Sequence, residues 1–146
     1  MTSAGWIRRA RVAAALAATL ACSPGRPAPI VYDADACDYC RMQISDKRFG
    51  AELLTKKGRT FKFDAVECLV GYYKQAAGAN DVASVWVSDF RHPGTMLLAD
   101  SARFVDLGEG RAPMGRPGLA AIASASDAAA LGIADAAAIK RWKDLL

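Results

Sequence analysis

The N-terminal 22 residues limit everything that follows them. Residues 1–11 carry Arg8, Arg9 and Arg11 and no acid, and residues 12–21 are uncharged and rich in Ala and Leu. A basic segment followed by a short apolar one is the pattern of a secretory signal peptide. Ten residues at about 1.5 Å each fall short of a bilayer core of about 30 Å, so the run reads as a signal rather than a spanning anchor. It ends Thr19-Leu20-Ala21-Cys22, a small residue before a cysteine, as in a bacterial lipobox; Thr19 stands where Leu is usual. The expectation is an exported, periplasmic chain held to a membrane by a lipid on Cys22. The alternative is ordinary cleavage near Ala21 and a soluble exported protein.

Two consequences follow for the mature chain. The whole sequence has a formal charge of +4, and the removed part holds three Arg and no acid, which leaves about +1. No basic patch interleaved with aromatics remains, and no nucleic-acid partner is expected. If Cys22 carries lipid, Cys37, Cys40 and Cys68 remain, an odd number that cannot all pair within one chain. At least one thiol is free, or the group serves something other than disulfide bonding.

Along the chain, residues 23–29 hold three Pro and read as an extended tether, placing a lipid-anchored arm at 22–32 and a folded domain at 33–146. Residues 33–42 are polar and sulfur-bearing and read as a loop. Residues 49–54 and 59–63 form an expected hairpin about Lys56-Lys57-Gly58. Asp64 can cap a helix on which Val66, Leu69, Val70 and Tyr73 recur at helical spacing, ending near Gly78. Residues 83–87, 95–99 and 102–107 are expected strands, and 108–118 a Gly-rich loop. Residues 127–131 and 135–145 are Ala-rich and expected to be helical, capped by Asp127 and Asp135. The fold class is α+β: a strand-strand-helix-strand unit, alone or as two similar lobes with the second a degraded copy of the first, followed by C-terminal helices.

The chemistry concentrates in Cys37-Asp38-Tyr39-Cys40-Arg41-Met42, two thiols and a thioether within six residues. Thiolates and thioethers are soft donors that favour Cu(I) over hard ions, and a neutral thioether keeps the site's charge low, as a monovalent ion requires. Three other readings of the pair stand beside this one. Cys37 and Cys40 could form a local disulfide. They could be a thioredoxin-like redox pair, although such a pair normally follows a strand at a helix N-terminus. With Cys68 and His92 they could make a Cys3His zinc site. Met114 lies between Pro113 and Gly115 in the Gly-rich loop, where a role as core filler is hard to assign, and it joins Cys37, Cys40 and Met42 as a candidate metal ligand. Met96 sits in a strand-like run and reads as core. Cys68, on the expected helix, reads as a buried inert thiol first and a ligand second, and His92, in a turn before Pro93, as structural or solvent-facing first. No hydrolase or transferase constellation and no phosphate loop is present, so no enzyme is expected.

The ordered set resembles the NosL-like lipoproteins. It comprises Cys22, Cys37-x-x-Cys40-x-Met42, the Gly58 turn, Phe63-Asp64 with Cys68 and Tyr72, residues 100–105, and Pro113-Met114-Gly115. The family usually reads Cys-x-x-Cys-Gly-Met, and here Arg41 replaces the Gly, which keeps the sulfur donors but bears on the turn that presents Met42. The resemblance implies a periplasmic, lipid-anchored Cu(I) chaperone. Its expected partners are a copper-accepting reductase, nitrous oxide reductase, or the membrane complex that matures it.

Overall fold

The structure is a computed structural model that describes residues 25–76, 81–113, 115 and 118–146. The signal at 1–21, Cys22, Met114 and the expected helix end near Gly78 lie outside the described residues. Among those described, no helix is long and apolar enough to cross a membrane.

Alternation of side chains builds the first sheet. Strands β1 (Ala51–Thr55) and β2 (Thr60–Phe63) pair antiparallel, Ala51 opposite Phe63 and Leu54 opposite Thr60. Between them Gly58 takes φ +84° and its N–H donates to the Thr55 carbonyl at 2.9 Å. A left-handed backbone at that point is open to glycine at no steric cost, which is why Lys-Lys-Gly turns here. Helix α1 (Val66–Ala76) follows, then β3 (Val82–Ser88) and β4 (Met96–Leu98), and the strand order is β2-β1-β3-β4. Ala51, Leu53, Val85 and Val87 face α1 and are buried with Val66, Cys68 and Leu69.

The second lobe repeats this connectivity in reduced form. Strands β5 (Arg103–Asp106) and β6 (Leu119–Ile122) pair antiparallel, and helix α2 (Ala125–Ala130) follows. The chain then returns to the free side of β5, where Lys140 and Phe104 exchange both backbone hydrogen bonds, at 2.8 and 2.9 Å. β5 thus lies between β6 and Lys140 as β1 lies between β2 and β3. The last strand has shrunk to one bridge. The ribbon is buried on both faces: Phe104, Leu119 and Ala121 join the first lobe's core, while Val105, Ala120 and Ile122 pack beneath Ala128 of α2 and against Phe49.

Three local expectations need correction. β6 lay unrecognised, because a strand buried on both sides reads Leu-Ala-Ala-Ile with no polar alternation. Residues 135–145 are not one helix but two 3-10 turns, Ala136–Ala138 and Trp142–Asp144, flanking the Lys140 bridge. Pairing with Phe104 and burial of Trp142 against Tyr73 and Phe104 override the helix propensity of alanine. Helix α2 is capped by Ser124, with Asp127 as the reciprocal member of a capping box rather than as the cap.

The arm also departs from a free tether. From Gly25 to Tyr32 it lies on the outer face of the first sheet. The Ser84 hydroxyl donates to the Gly25 carbonyl at 3.1 Å, Ala28 N–H to Thr60 at 3.2 Å, and Lys62 Nζ to the Pro29 carbonyl at 2.7 Å. Beneath it Glu52 is only 3 % exposed and accepts from the Ile30 N–H. Burial raises its pKa to about 7, with the Lys62 charge opposing.

A group whose folded pKa lies above its unfolded value binds more protons when folded, so stability falls as pH rises between the two. Glu52→Gln is therefore expected to stabilise the protein at pH 8 and to change it little at pH 5, read as urea midpoints at the two pH values. An equal shift at both would contradict the buried-carboxylate account.

Candidate metal centre

The sulfur loop is held at the far end of the same sheet. Residues 31–44 fold back on themselves, with Asp33 N–H to Ile44 O at 2.8 Å, Ile44 N–H to Asp35 O at 2.9 Å and a bridge between Ala36 and Gln43. The tip closes when Cys37 N–H donates to Met42 O at 2.8 Å and Arg41 N–H to Cys37 O at 3.0 Å. That closure puts Arg41 at φ +67°. The position where the sequence departs from Cys-x-x-Cys-Gly-Met is thus one where glycine would sit without strain, and an L-side chain there costs about 1–2 kcal/mol.

Two contacts seat the loop. Along the free edge of β2, Asp38 N–H donates to Lys62 O and Lys62 N–H to the Asp38 carboxylate, both at 2.8 Å. Lys62 Nζ also pairs with Asp35 at 2.6 Å, and this hydrogen bond holds the Asp35 carboxyl below its usual range. On the other side the Tyr39 ring lies directly on α1 at Gly71, where a Cβ would fall 2.7 Å from the ring, and Gln75 Nε2 donates to the Tyr39 hydroxyl at 3.3 Å. Any side chain at Gly71 requires the Tyr39 ring to shift.

This seating brings Cys37 and Cys40 of the loop to Cys68 on the first turn of α1. The three are free thiols, and their Sγ atoms all lie within 4.8 Å of one another. Cys37 and Cys68 are buried and Cys40 is half-buried. The reading of Cys68 as an inert core thiol is revised: it is buried, yet it completes the group. The one signal for this in the sequence was the odd cysteine count, since periodicity marked Cys68 only as near the helix's inner face.

Electrostatics single out Cys37. Its sulfur accepts a hydrogen bond from the Cys68 thiol, and from the backbone N–H groups of Cys40, Asp64 and Tyr39. Together these outweigh burial and bring its pKa down to about 5. Cys68 is pushed far up by its hydrogen bond to Cys37, by burial and by the Cys37 charge. Cys40 is raised mainly by burial, and the Met42 N–H on its sulfur offsets part of this. Cys37 is thus the sulfur of the cluster that gives up its proton most readily. Asp64, expected as a helix cap, instead accepts from the Ser45 N–H. Its Oδ1 is buried without a partner, and its pKa is raised by burial and then by the Cys37 charge.

The other sequence candidates fall out unevenly. Met42 stands at the rim with its side chain 53 % exposed. Met114 lies outside the described residues. Leu119, at the start of β6, donates its N–H to Glu67 on α1 at 2.8 Å. His92 is not one of the clustered groups. Its Nδ1 is 2.9 Å from Asp89 on an exposed turn, so the Cys3His arrangement is not formed. Met96 lies in β4, where its sulfur accepts from the Ser88 hydroxyl at 3.5 Å.

A family model described as NosL matches residues 28–145. Among solved structures, the chain is similar to the crystal structure of the copper chaperone NosL from Shewanella denitrificans. The TM-score is 0.66 at 20 % identity, covering 83 % of this chain and 96 % of that one, a likeness of fold. No curated protein matches.

An ultraviolet titration of thiolate absorbance on the reduced protein should show one thiolate forming with a midpoint near pH 5, and Cys37→Ser should remove it. A first thiolate appearing only near the ordinary value of about 8.5 would refute the Cys37 assignment.

Proposed function

Because the chain belongs to the NosL family, we propose that it is a periplasmic, lipid-anchored carrier of Cu(I) that supplies copper for nitrous oxide reductase maturation. The observation that carries the reading is the convergence of Cys37, Cys40 and Cys68 to within 4.8 Å, two of them buried. Soft donors select Cu(I).

The graded exposure supports entry and exit by ligand exchange. The exposed Met42 thioether and the half-buried Cys40 sulfur meet an incoming ion first, and Cys37 and Cys68 take it deeper. Binding expels the protons still held by Cys40 and Cys68, so affinity rises with pH. Release reverses the order, an acceptor's sulfur replacing Met42 and Cys40 while Cys37 still holds. Met114 remains a candidate further ligand. The acceptor is the reductase or its maturation complex.

A thiol-disulfide oxidoreductase fits less well, although Cys37 has the low pKa such chemistry wants. Cys37 is 0 % exposed, out of reach of a partner's disulfide, and the reachable Cys40 has its pKa raised.

Anaerobic Cu(I) titration against a competing chelator tests the proposal. Cys40→Ser with Met42→Leu, and separately Cys68→Ser, are each expected to weaken binding by about tenfold or more, as loss of a metal's supporting groups does. His92→Ala is expected to leave it unchanged. Wild-type affinity in both cysteine variants would end the reading, and one equivalent of tightly held zinc in protein isolated anaerobically would replace it with a structural zinc site.

A further inference from the structure

The N-terminal arm has a direction. Gly25 lies at the level of Leu54 and Ser84, at the end of the sheet that carries the β1–β2 turn and the start of β3. Ala28 meets Thr60, the Ile30 N–H meets Glu52, and the Tyr32 hydroxyl meets Ser88 at 3.3 Å, at the opposite end of β3. The cysteine loop follows at once. The arm therefore enters the fold at one pole of the first lobe and hands the chain to the sulfur cluster at the other. Along β1, from Thr55 to Ala51, the poles are about 14 Å apart at ~3.4 Å per residue.

The poles differ in charge. Arg26 on the arm, Lys56 and Lys57 in the turn, Arg59 at the start of β2 and Lys74 in the last turn of α1 gather at the entry pole, with Asp81 as the acid beside them. The sulfur end is mixed: Asp33, Asp35, Asp38, Asp46 and Asp64 lie there among Arg41, Lys47, Arg48 and Lys62, with Lys62 paired to Asp35 and Arg48 to Asp46, so the strong positive excess belongs to the entry pole alone. Only Ser23 and Pro24 separate Cys22 from Gly25, so three residue steps span at most about 11 Å. That is close to a Debye length of about 8 Å at physiological salt, near enough for the basic pole to feel a charged surface.

We infer that the Lys56–Lys57 pole of the first lobe rests on an anionic phospholipid surface, and that the docked arm holds the cysteine cluster facing away from it. The inference rests on the reading of Cys22 as the acylated residue. A long flexible tether would let the domain tumble and present any face. An arm bonded to three strands from Gly25 onward does not, and it fixes the copper site on the side open to a soluble acceptor.

The test uses the full chain purified from membranes. A mass spectrum first establishes the acyl group on Cys22. The reduced protein is then placed in nanodiscs of phosphatidylcholine alone or with phosphatidylglycerol, and amide hydrogen exchange is compared. Exchange should slow at residues 56–59 only on the anionic surface and stay unchanged at 38–43. Lys57→Glu with Lys74→Glu should reduce that slowing by about tenfold, two basic contacts being lost. Protection at 38–43, equal protection on neutral lipid, or none at the turn overturns the orientation while leaving the anchor intact. An unmodified Cys22 overturns the anchor reading and the orientation with it.

Discussion

The meeting of three cysteine sulfurs where the cysteine loop touches helix α1 is the constraint around which the first lobe is arranged. A charge without water around it is tolerable only where donors converge on it. Cys37 receives three backbone N–H groups and a thiol, supplied by three devices. The tight return of the chain through Arg41 brings Tyr39 and Cys40, the strand-to-helix junction brings Asp64, and the helix brings Cys68. The seat of Asp38 on β2 holds the loop, and with it these donors, in place. The strained backbone at Arg41 is a cost carried for that convergence, and the orphaned Asp64 oxygen is another. Both lie where a metal site would be expected to concentrate such departures from local preference.

The two lobes show what the site requires of its scaffold. Both are strand-strand-helix-strand units with the first strand in the middle. The second has a six-residue helix where the first has eleven residues, and a single bridge for its last strand. At the position on α2 that follows its strand as Cys68 follows β2, the second lobe has Asp127, which closes a capping box. The second lobe carries no cysteine and acts as a support. It buries the outer flank of α1 with Phe104 and Trp142, and through Leu119 and Glu67 it fixes the residue next to Cys68.

Much of this was legible in the sequence because it is written in short-range pattern. The β1–β2 hairpin follows from alternation about a glycine turn, and α1 from helical spacing of Val66, Leu69 and Tyr73. The sulfur cluster was legible in part: Cys37 and Cys40 announce themselves by proximity, whereas Cys68 joins them only after the chain folds, across 28 positions. What was hidden depends on tertiary contact. β6 lacks alternation because both its faces are covered, and the alanines near the C-terminus are drawn out of a helix by the open edge of Phe104. The prolines of the arm promised extension and gave it, but composition carries no information about the sheet face on which Gly25 to Tyr32 come to lie.

The central claim is that this cluster takes one copper ion through sulfur, with Cys68 among the donors. X-ray absorption at the copper edge of the protein loaded anaerobically with one equivalent addresses it directly. The account predicts the edge of Cu(I), a shell of sulfur neighbours, and the loss of one sulfur in Cys68→Ser. A shell dominated by nitrogen or oxygen, or one left unchanged by that substitution, would contradict it.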